Sequence, residues 1–241
     1  RLAEQMGRWE DLATHLSLTL ESDEFRFLDP ETAQDFILFL AKIYDDKLGQ
    51  LEKARDHYRR VLEVDGENGE AINSLERLYT RTEQWRDLVA LYKRKAELTD
   101  EVDEKKNLYF KVCHLYEDLL EDPVSAIDVY LLILDIDPVN NLALKALERI
   151  YDLLGRYVEL TDLLRRELLL VEDGQKIVEI RYRLGDILEK ELEDPSGAID
   201  CYQEILAQQR GDEPSLNALV RLLADEELRE RVAAILEPIY Q

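Results

Sequence analysis

The chain has 241 residues, of which 54 are Asp or Glu and 31 are Lys or Arg, so the formal net charge is −23. Because phosphate backbones are themselves anionic, this excess of carboxylates argues against general nucleic-acid binding. Hydrophobic residues make up 46% of the chain. No apolar run approaches the length of a membrane span, so the sequence favours a soluble protein, with the cytoplasm as the favoured compartment.

The first predicted elements are helices, as expected for a chain with only 9 Gly and 6 Pro. Apolar residues recur at helical spacing over about 9–21. Residues 22–29 have the composition of an irregular connection. Asp29 followed by Pro30 has the form of a helix N-cap with proline in the first turn, and the helix that it starts ends near Gly49.

The rest of the chain shows the same helical periodicity, interrupted at short intervals. We therefore predict a series of helix pairs after a partial unit at residues 1–30. The predicted pairs cover approximately residues 31–66, 67–101, 102–138, 139–173, 174–210 and 211–241.

One segment organises this series because it occurs three times. Residues 117–137 recur at 45–65 and at 189–209, so the copies are evenly spaced, with a period of 72. A fixed period indicates a repeat architecture, in which each unit packs mainly against its neighbours. The spacing from Trp9 to Trp85 exceeds this period by four, and we assign the extra residues to the connection at 22–29, since a surface loop accommodates an insertion at little cost.

The repeated segments resemble the tetratricopeptide repeat family. A small residue in each helix and a large residue in its partner carry the resemblance, because together they let two helices approach closely. These residues are Leu40-Ala41, Tyr44, Ala54, Tyr58 and Val61; then Val112-Cys113, Tyr116, Ala126, Tyr130, Ile133 and Pro138; then Leu184-Gly185, Leu188, Ala198, Tyr202 and Ile205. The alternate units depart from the pattern, with Glu76 and Glu148 where the family prefers a small residue.

The resemblance implies an all-α fold, a right-handed α-solenoid of stacked antiparallel helix pairs that runs through residues 1–241 as a single array. It also implies a concave face, formed by the first helix of each pair, where peptides or helices bind. The candidate binding residues on this face are Asn73 with Arg77, Lys145 with Arg149, and Asn217 with Arg221, joined by Lys42, Phe110, His114 and Tyr182.

Each of the three polar pairs has a spacing of four residues, so both members lie on one face of a helix. Arginine is the natural donor to carboxylates, and our hypothesis is that this row binds acidic segments of a protein or peptide partner. The alternative is that Arg77, Arg149 and Arg221 pair with Asp or Glu of neighbouring repeats. The 54 acidic residues favour the alternative.

The function predicted from the resemblance is that of a non-catalytic scaffold for protein–protein interaction. A second possibility is self-assembly, in which copies stack through the ends of the solenoid as a homodimer. The apolar residues of the last helix suggest it, because an uncapped repeat end exposes apolar surface. They are Leu228, Val232, Ile235, Leu236 and Ile239.

Catalytic, metal and cofactor sites are not predicted. His15, His57 and His114 are far apart, with no two at ligand spacing. No glycine-rich phosphate loop or supported Ser/His/Asp set occurs. Cys113 and Cys201 each fall at an apolar position of a predicted helix, which favours small buried side chains over reactive thiols.

Overall fold

The computed structural model describes residues 7–240, apart from the side chains of Glu24 and Arg26. Within these residues every regular element is helical, and none of the helices is both long and apolar enough to cross a bilayer. The α-helices are α1 (Trp9–Glu21), α2 (Pro30–Lys42), α3 (Leu51–Val64), α4 (Gly69–Arg81), α5 (Trp85–Leu98), α6 (Val102–His114), α7 (Pro123–Ile136), α8 (Asn141–Leu153), α9 (Tyr157–Leu168), α10 (Gly174–Lys190), α11 (Pro195–Gln208), α12 (Glu213–Leu222) and α13 (Arg229–Tyr240).

The chain divides into two compact units, which are residues 1–122 and residues 123–241. In unit 1 each helix from α1 to α6 packs against the next one in sequence. The same rule holds in unit 2 from α7 to α13. This neighbour-to-neighbour packing confirms the all-α solenoid class that the repeats predict.

The helices begin at regularly spaced residues. The helices α2, α6 and α10 start at residues 30, 102 and 174, and the helices that follow them in sequence, α3, α7 and α11, start at residues 51, 123 and 195. Both series advance by the period of the sequence repeat. The connection between α1 and α2 contains a short 3-10 helix, Glu24–Phe27, at the place where the sequence predicts the extra residues.

Side-chain caps fix many of these starts. Asp29 accepts a hydrogen bond from the backbone N–H of Thr32 at 2.9 Å, as the Asp-Pro pattern predicts. The helices α4, α8 and α12 have the same kind of cap. In each, a side-chain oxygen of the cap residue accepts a hydrogen bond from the backbone N–H group of the residue three positions later. The cap residues are Asn68, Asn140 and Asp212. Each cap satisfies a backbone donor that the helix itself leaves unpaired.

A widened turn ends the first helix of three pairs. Leu48, Leu120 and Leu192 donate their backbone N–H groups to carbonyls five residues back. The residue that follows lies in the left-handed region, with φ of 63° at Gly49 and 51° at both Glu121 and Glu193. Glycine adopts this conformation freely, whereas a residue with a Cβ atom is strained there.

Close helix contacts form around the small residues that the sequence singles out. Ala54, Ala126 and Ala198 are fully buried. At Gly185 on α10, an added Cβ atom would lie 2.9 Å from the ring of Tyr202 on α11. The absence of a side chain at this glycine therefore lets the tyrosine ring pack against the helix backbone. Cys113 and Cys201 are also buried, as their apolar positions predict.

We expect Ala198→Leu to lower the free energy of unfolding by about 1–3 kcal/mol, because the extra methyl groups overpack a filled helix contact. Chemical denaturation followed by circular dichroism measures the change. Ala207→Leu on the same helix is the control, since Ala207 is exposed and surface changes stay within about 0.5 kcal/mol. Equal effects of the two substitutions would contradict this packing.

Replacing the left-handed Glu193 by glycine should raise the free energy of unfolding by about 0.5–1 kcal/mol. Relief of the strain, about 1–2 kcal/mol, exceeds the entropy that the glycine loses on folding. The matched change Gly49→Ala, at the same position of another repeat, should destabilise by about 1 kcal/mol. Thermal and denaturant unfolding of both variants give the sign of each change in the free energy of unfolding. A destabilised Glu193→Gly would show that the turn tolerates a side chain without strain.

Candidate partner-binding surface

The three polar pairs predicted as binding residues lie on equivalent helices and are exposed. Asn73 and Arg77 lie on α4 in unit 1 and line one shallow depression. Lys145 and Arg149 on α8 in unit 2 line a deeper cavity, and Asn217 and Arg221 lie on α12. All six side chains face away from the core. They are therefore available to a partner from the solvent side.

In unit 1 the predicted cations pair with carboxylates of the adjacent repeat. Arg77 forms an ion pair with Asp45, which lies in the widened turn after α2. The Arg77 side chain is 58% exposed and that of Asp45 is 5% exposed, so the carboxylate holds the guanidinium from the core side. Lys42 lies 2.6 Å from a carboxylate oxygen of Glu70. Both pairs connect α4 to the first helix of the preceding repeat.

In unit 2 Arg221 has a more complete set of partners. Its Nε and Nη2 atoms donate to the two oxygens of Glu189, each at 2.9 Å. Tyr202 also donates its hydroxyl to Glu189, at 3.1 Å. The hydrogen bond to Glu189 raises the pKa of Arg221 above its ordinary value. The alternative predicted from the sequence, pairing with acids of a neighbouring repeat, is thus confirmed for Arg77 and Arg221.

The remaining predicted residues take part in local contacts. The Nδ1 atom of His114 contacts the carboxylate of Asp118, one turn further along the same segment. Phe110 and Tyr182 are half-buried. The Tyr182 ring packs at a tilt against Tyr202, with 5.7 Å between ring centroids. The two aromatic residues thus present only part of their surface to solvent.

Glu76, which replaces a small residue of the family pattern, accepts a hydrogen bond from an aromatic residue. The hydroxyl of Tyr92 on α5 donates to Glu76 Oε1 at 2.6 Å. Lys111 on α6 lies 3.5 Å from the same oxygen and 4.8 Å from the centre of the Tyr92 ring. Burial raises the pKa of the Tyr92 hydroxyl, and the Glu76 carboxylate raises it further. The tyrosine therefore fills the space between α4 and α6 as a neutral donor.

The corresponding place in unit 2 contains a cavity. Leu164 stands one repeat period after Tyr92 and has no hydroxyl to reach Glu148. The cavity has a volume of about 520 Å³ and lies among α8, α9 and α10. Its apolar lining comes from Leu144, Leu164 and Ile180, all buried. A volume of this size is within the range of ordinary ligand pockets.

A half-buried carboxylate, Glu148, and a buried one, Glu167, line this cavity, which we call the α8–α10 cavity. Glu148 accepts a hydrogen bond from Arg183 at 2.5 Å, and Glu167 lies 2.8 Å from Lys176. The Oε2 atom of Glu167 is buried and has no hydrogen-bond partner among the described residues. Burial raises the pKa of Glu148, with a further contribution from the charge of Glu167, while Arg183 and Lys176 act in the opposite direction.

The residues that form the two ion pairs of this cavity were not among the predicted binding residues: Glu148, Glu167, Lys176 and Arg183. A signal for them exists in the repeat alignment. At the repeat period, Lys95 and Glu104 of unit 1 correspond to Glu167 and Lys176 of unit 2, so the two charges exchange places. This exchange and the replacement of Tyr92 by Leu164 distinguish the repeat in unit 2 from its counterpart in unit 1.

Models of the tetratricopeptide repeat match residues 35–68, 71–106 and 143–177. A comparison with curated proteins gives no match. Among solved structures, the chain is similar to YrrB, described as a TPR protein with an unusual peptide-binding site. The identity is 15% and the TM-score 0.35, with 86% of this chain and 98% of that one covered.

Two further solved structures are similar over almost the whole chain. A tetratricopeptide repeat protein from Parabacteroides merdae has 14% identity and a TM-score of 0.36, covering 99% of this chain and 95% of that one. A chain of the Naa15/Naa10 complex bound to HypK-THB has 14% identity and a TM-score of 0.45, covering 99% of this chain and 38% of that one.

The raised pKa of Glu148 gives a pH dependence with a defined sign. A carboxyl group whose pKa is higher in the folded state stabilises the fold most below its unfolded pKa, and this contribution is lost as pH rises through the folded pKa. The stability of Glu148→Gln relative to the wild type should therefore rise between about pH 4 and pH 7. Denaturation at several pH values measures this difference.

Glu159→Gln is the control with the opposite sign, because a hydrogen bond from Arg156 lowers the pKa of Glu159. Its stability relative to the wild type should fall as pH rises from about 2 to 5. A pH-independent difference for Glu148→Gln would contradict the burial of this carboxylate.

Proposed function

We propose that this chain, which belongs to the tetratricopeptide repeat family, binds peptide or protein segments at the exposed polar faces of its helices, on α4 in unit 1 and on α8 and α12 in unit 2. The repeats make it a protein-interaction scaffold in general terms. The proposal adds the residues of contact, which are the polar pair at 73 and 77 in unit 1 and the pairs at 145 and 149 and at 217 and 221 in unit 2.

The observation that carries the proposal is the way in which the exposed arginines are held. Arg77 and Arg221 each contact a carboxylate that is itself nearly buried, Asp45 and Glu189 respectively. A guanidinium group has five N–H donors, and Arg221 uses two of them on Glu189. The remaining N–H groups are fixed in direction, which reduces the entropy lost when a partner binds.

Asn73 and Asn217 support the same conclusion for an extended segment. A side-chain amide has both donor and acceptor groups, and these match the groups of a peptide unit. Both residues are exposed one helical turn before the oriented arginines. An asparagine and an arginine at this spacing can bind the backbone of a segment without any requirement for its side chains.

The acidic-segment hypothesis is a narrower form of this proposal. It requires Arg77 or Arg221 to bind a second carboxylate, from the partner, in addition to the carboxylate that is already paired with it. Lys42 also has its partner in Glu70. A backbone-directed mode needs no free positive charge, so it is the form that the geometry favours.

Self-assembly through the last helix is the alternative function. In α13, Val232 and Leu236 are buried within unit 2, while Ile235 and Ile239 are half-buried. Part of the apolar face that suggested stacking is therefore used inside the unit. Light scattering over a dilution series separates the alternatives, since a dimer that resists dilution supports self-assembly.

Peptides selected by display on the full chain should depend on the asparagines. We expect Asn73→Ala to weaken the peptides bound at α4 and Asn217→Ala those bound at α12, in each case about tenfold, the effect of one lost hydrogen bond of about 1.4 kcal/mol. Glu63→Ala and Gln203→Ala, exposed on α3 and α11, are the controls. Calorimetric titration gives the affinities, and the composition of the peptides tests the acidic form.

Selected peptides that respond to the two controls and ignore both asparagine variants would contradict the proposed surface. Circular dichroism of each variant checks that the helices are intact.

A further inference from the structure

In the α8–α10 cavity the acidic side chains and the basic side chains lie at different depths. The side chains of Glu148 and Glu167 are 15% and 5% exposed, whereas those of their partners Arg183 and Lys176 are 43% and 37% exposed. The carboxylates therefore lie deeper than the cations. The most buried polar groups that a ligand meets are hydrogen-bond acceptors.

These acceptors are not fully satisfied. Lys176 contacts Glu167 Oε1, and the buried Oε2 atom has no hydrogen-bond partner among residues 7–240. A buried carboxylate oxygen without a donor costs free energy, and a bound donor would recover it. Lys176 lies in the first turn of α10 and is partly exposed, so its flexible side chain can move outward when another cation enters.

The equivalent place in unit 1 is a shallow depression lined by Asn73, Glu76 and Arg77. Tyr92 stands there at the repeat position of Leu164 and donates to Glu76. The partly buried charge is also different, because Lys95 stands at the position of Glu167 and pairs with Glu104 at 2.8 Å. Unit 2 thus has Leu164 in place of the aromatic Tyr92 and the deep carboxylate of Glu167 in place of Lys95.

We propose that the α8–α10 cavity receives a positively charged side chain, the guanidinium of an arginine or the ammonium of a lysine, from the segment that the scaffold binds. The charged end lies against Glu167 and Glu148. The aliphatic part of the side chain packs on Leu144, Leu164 and Ile180, which supply an apolar wall for its methylene groups.

This inference rests on the proposed function, since it assigns one anchoring side chain of the same partner. It also agrees with the charge of the chain: a molecule with a net charge of −23 attracts basic segments from solution. Asn217 and Arg221 of α12, in the same unit, bind the segment's backbone, and the cavity selects one residue of it.

The test uses the full chain with labelled methyl groups and four short capped peptides of alanine and glycine. The central residue is arginine, lysine, norleucine or glutamate. In NMR titrations at physiological salt, we expect the arginine and lysine peptides to shift the methyl signals of Leu144, Leu164 and Ile180. The norleucine and glutamate peptides should bind at least about tenfold more weakly, because they cannot donate to the carboxylates.

Three variants identify the residues responsible. Glu167→Gln should weaken the arginine peptide about tenfold or more, and Leu164→Tyr, which restores the filler of unit 1, should abolish the methyl response. Glu76→Gln in unit 1 is the matched control and should leave the affinity unchanged.

A fourth variant distinguishes loss of peptide binding from loss of folding. The double substitution Glu167→Lys with Lys176→Glu reproduces the order of the Lys95–Glu104 pair, so the ion pair is kept while the deep carboxylate is removed. We expect normal thermal unfolding and no binding of the arginine peptide.

The inference is overturned if the norleucine or glutamate peptide binds as tightly as the arginine peptide, if binding survives in Leu164→Tyr, or if no peptide shifts the three methyl signals. In each of these cases the display-selected peptides still report on Asn73 and Asn217. If they retain that dependence, the proposed function stands without the cavity. If they lose it while the arginine peptide still binds at Glu167, the cavity stands and the wider surface fails.

Discussion

Contact between a small residue on one helix and a large residue on the next is the interaction on which this structure depends. Ala54 and Ala198 are fully buried, and the ring of Tyr202 lies against the backbone at Gly185. Arg77 and Arg221 lie on α4 and α12, the helices that directly follow those of Ala54 and Ala198. Their positions are set by contacts with Asp45 and Glu189 of the preceding repeat.

Much of the fold could be predicted because its signals are local. Helix starts depend on a cap and the residues that follow it, as at Asp29, and helix faces depend on apolar spacing. Even the extra turn between α1 and α2 could be placed, since two tryptophans mark the same repeat position. The exposure of the polar pairs could also be predicted from the sequence, because residues four positions apart share one face of a helix.

The cavity could not be predicted in this way because it depends on residues far apart in sequence. Whether Leu164 leaves a space is decided by the separation of α8 and α10, which no single helix encodes. The partner of each charge is equally non-local. Arg221 binds Glu189 rather than any of the other acids because α12 and α10 are adjacent, and with 54 acidic residues the sequence offers many alternatives.

The exchanged ion pair limits how this chain can be rearranged by recombination between its own repeats. The pairs Lys95–Glu104 and Glu167–Lys176 have the same separation in space and opposite order along the chain. A crossover inside this stretch would bring two ammonium groups or two carboxylates together. Either product loses an attraction and gains a repulsion, at a cost of about 1 kcal/mol or less for side chains this exposed. Breakpoints outside this stretch keep the ion pair, so they yield the more stable recombinants.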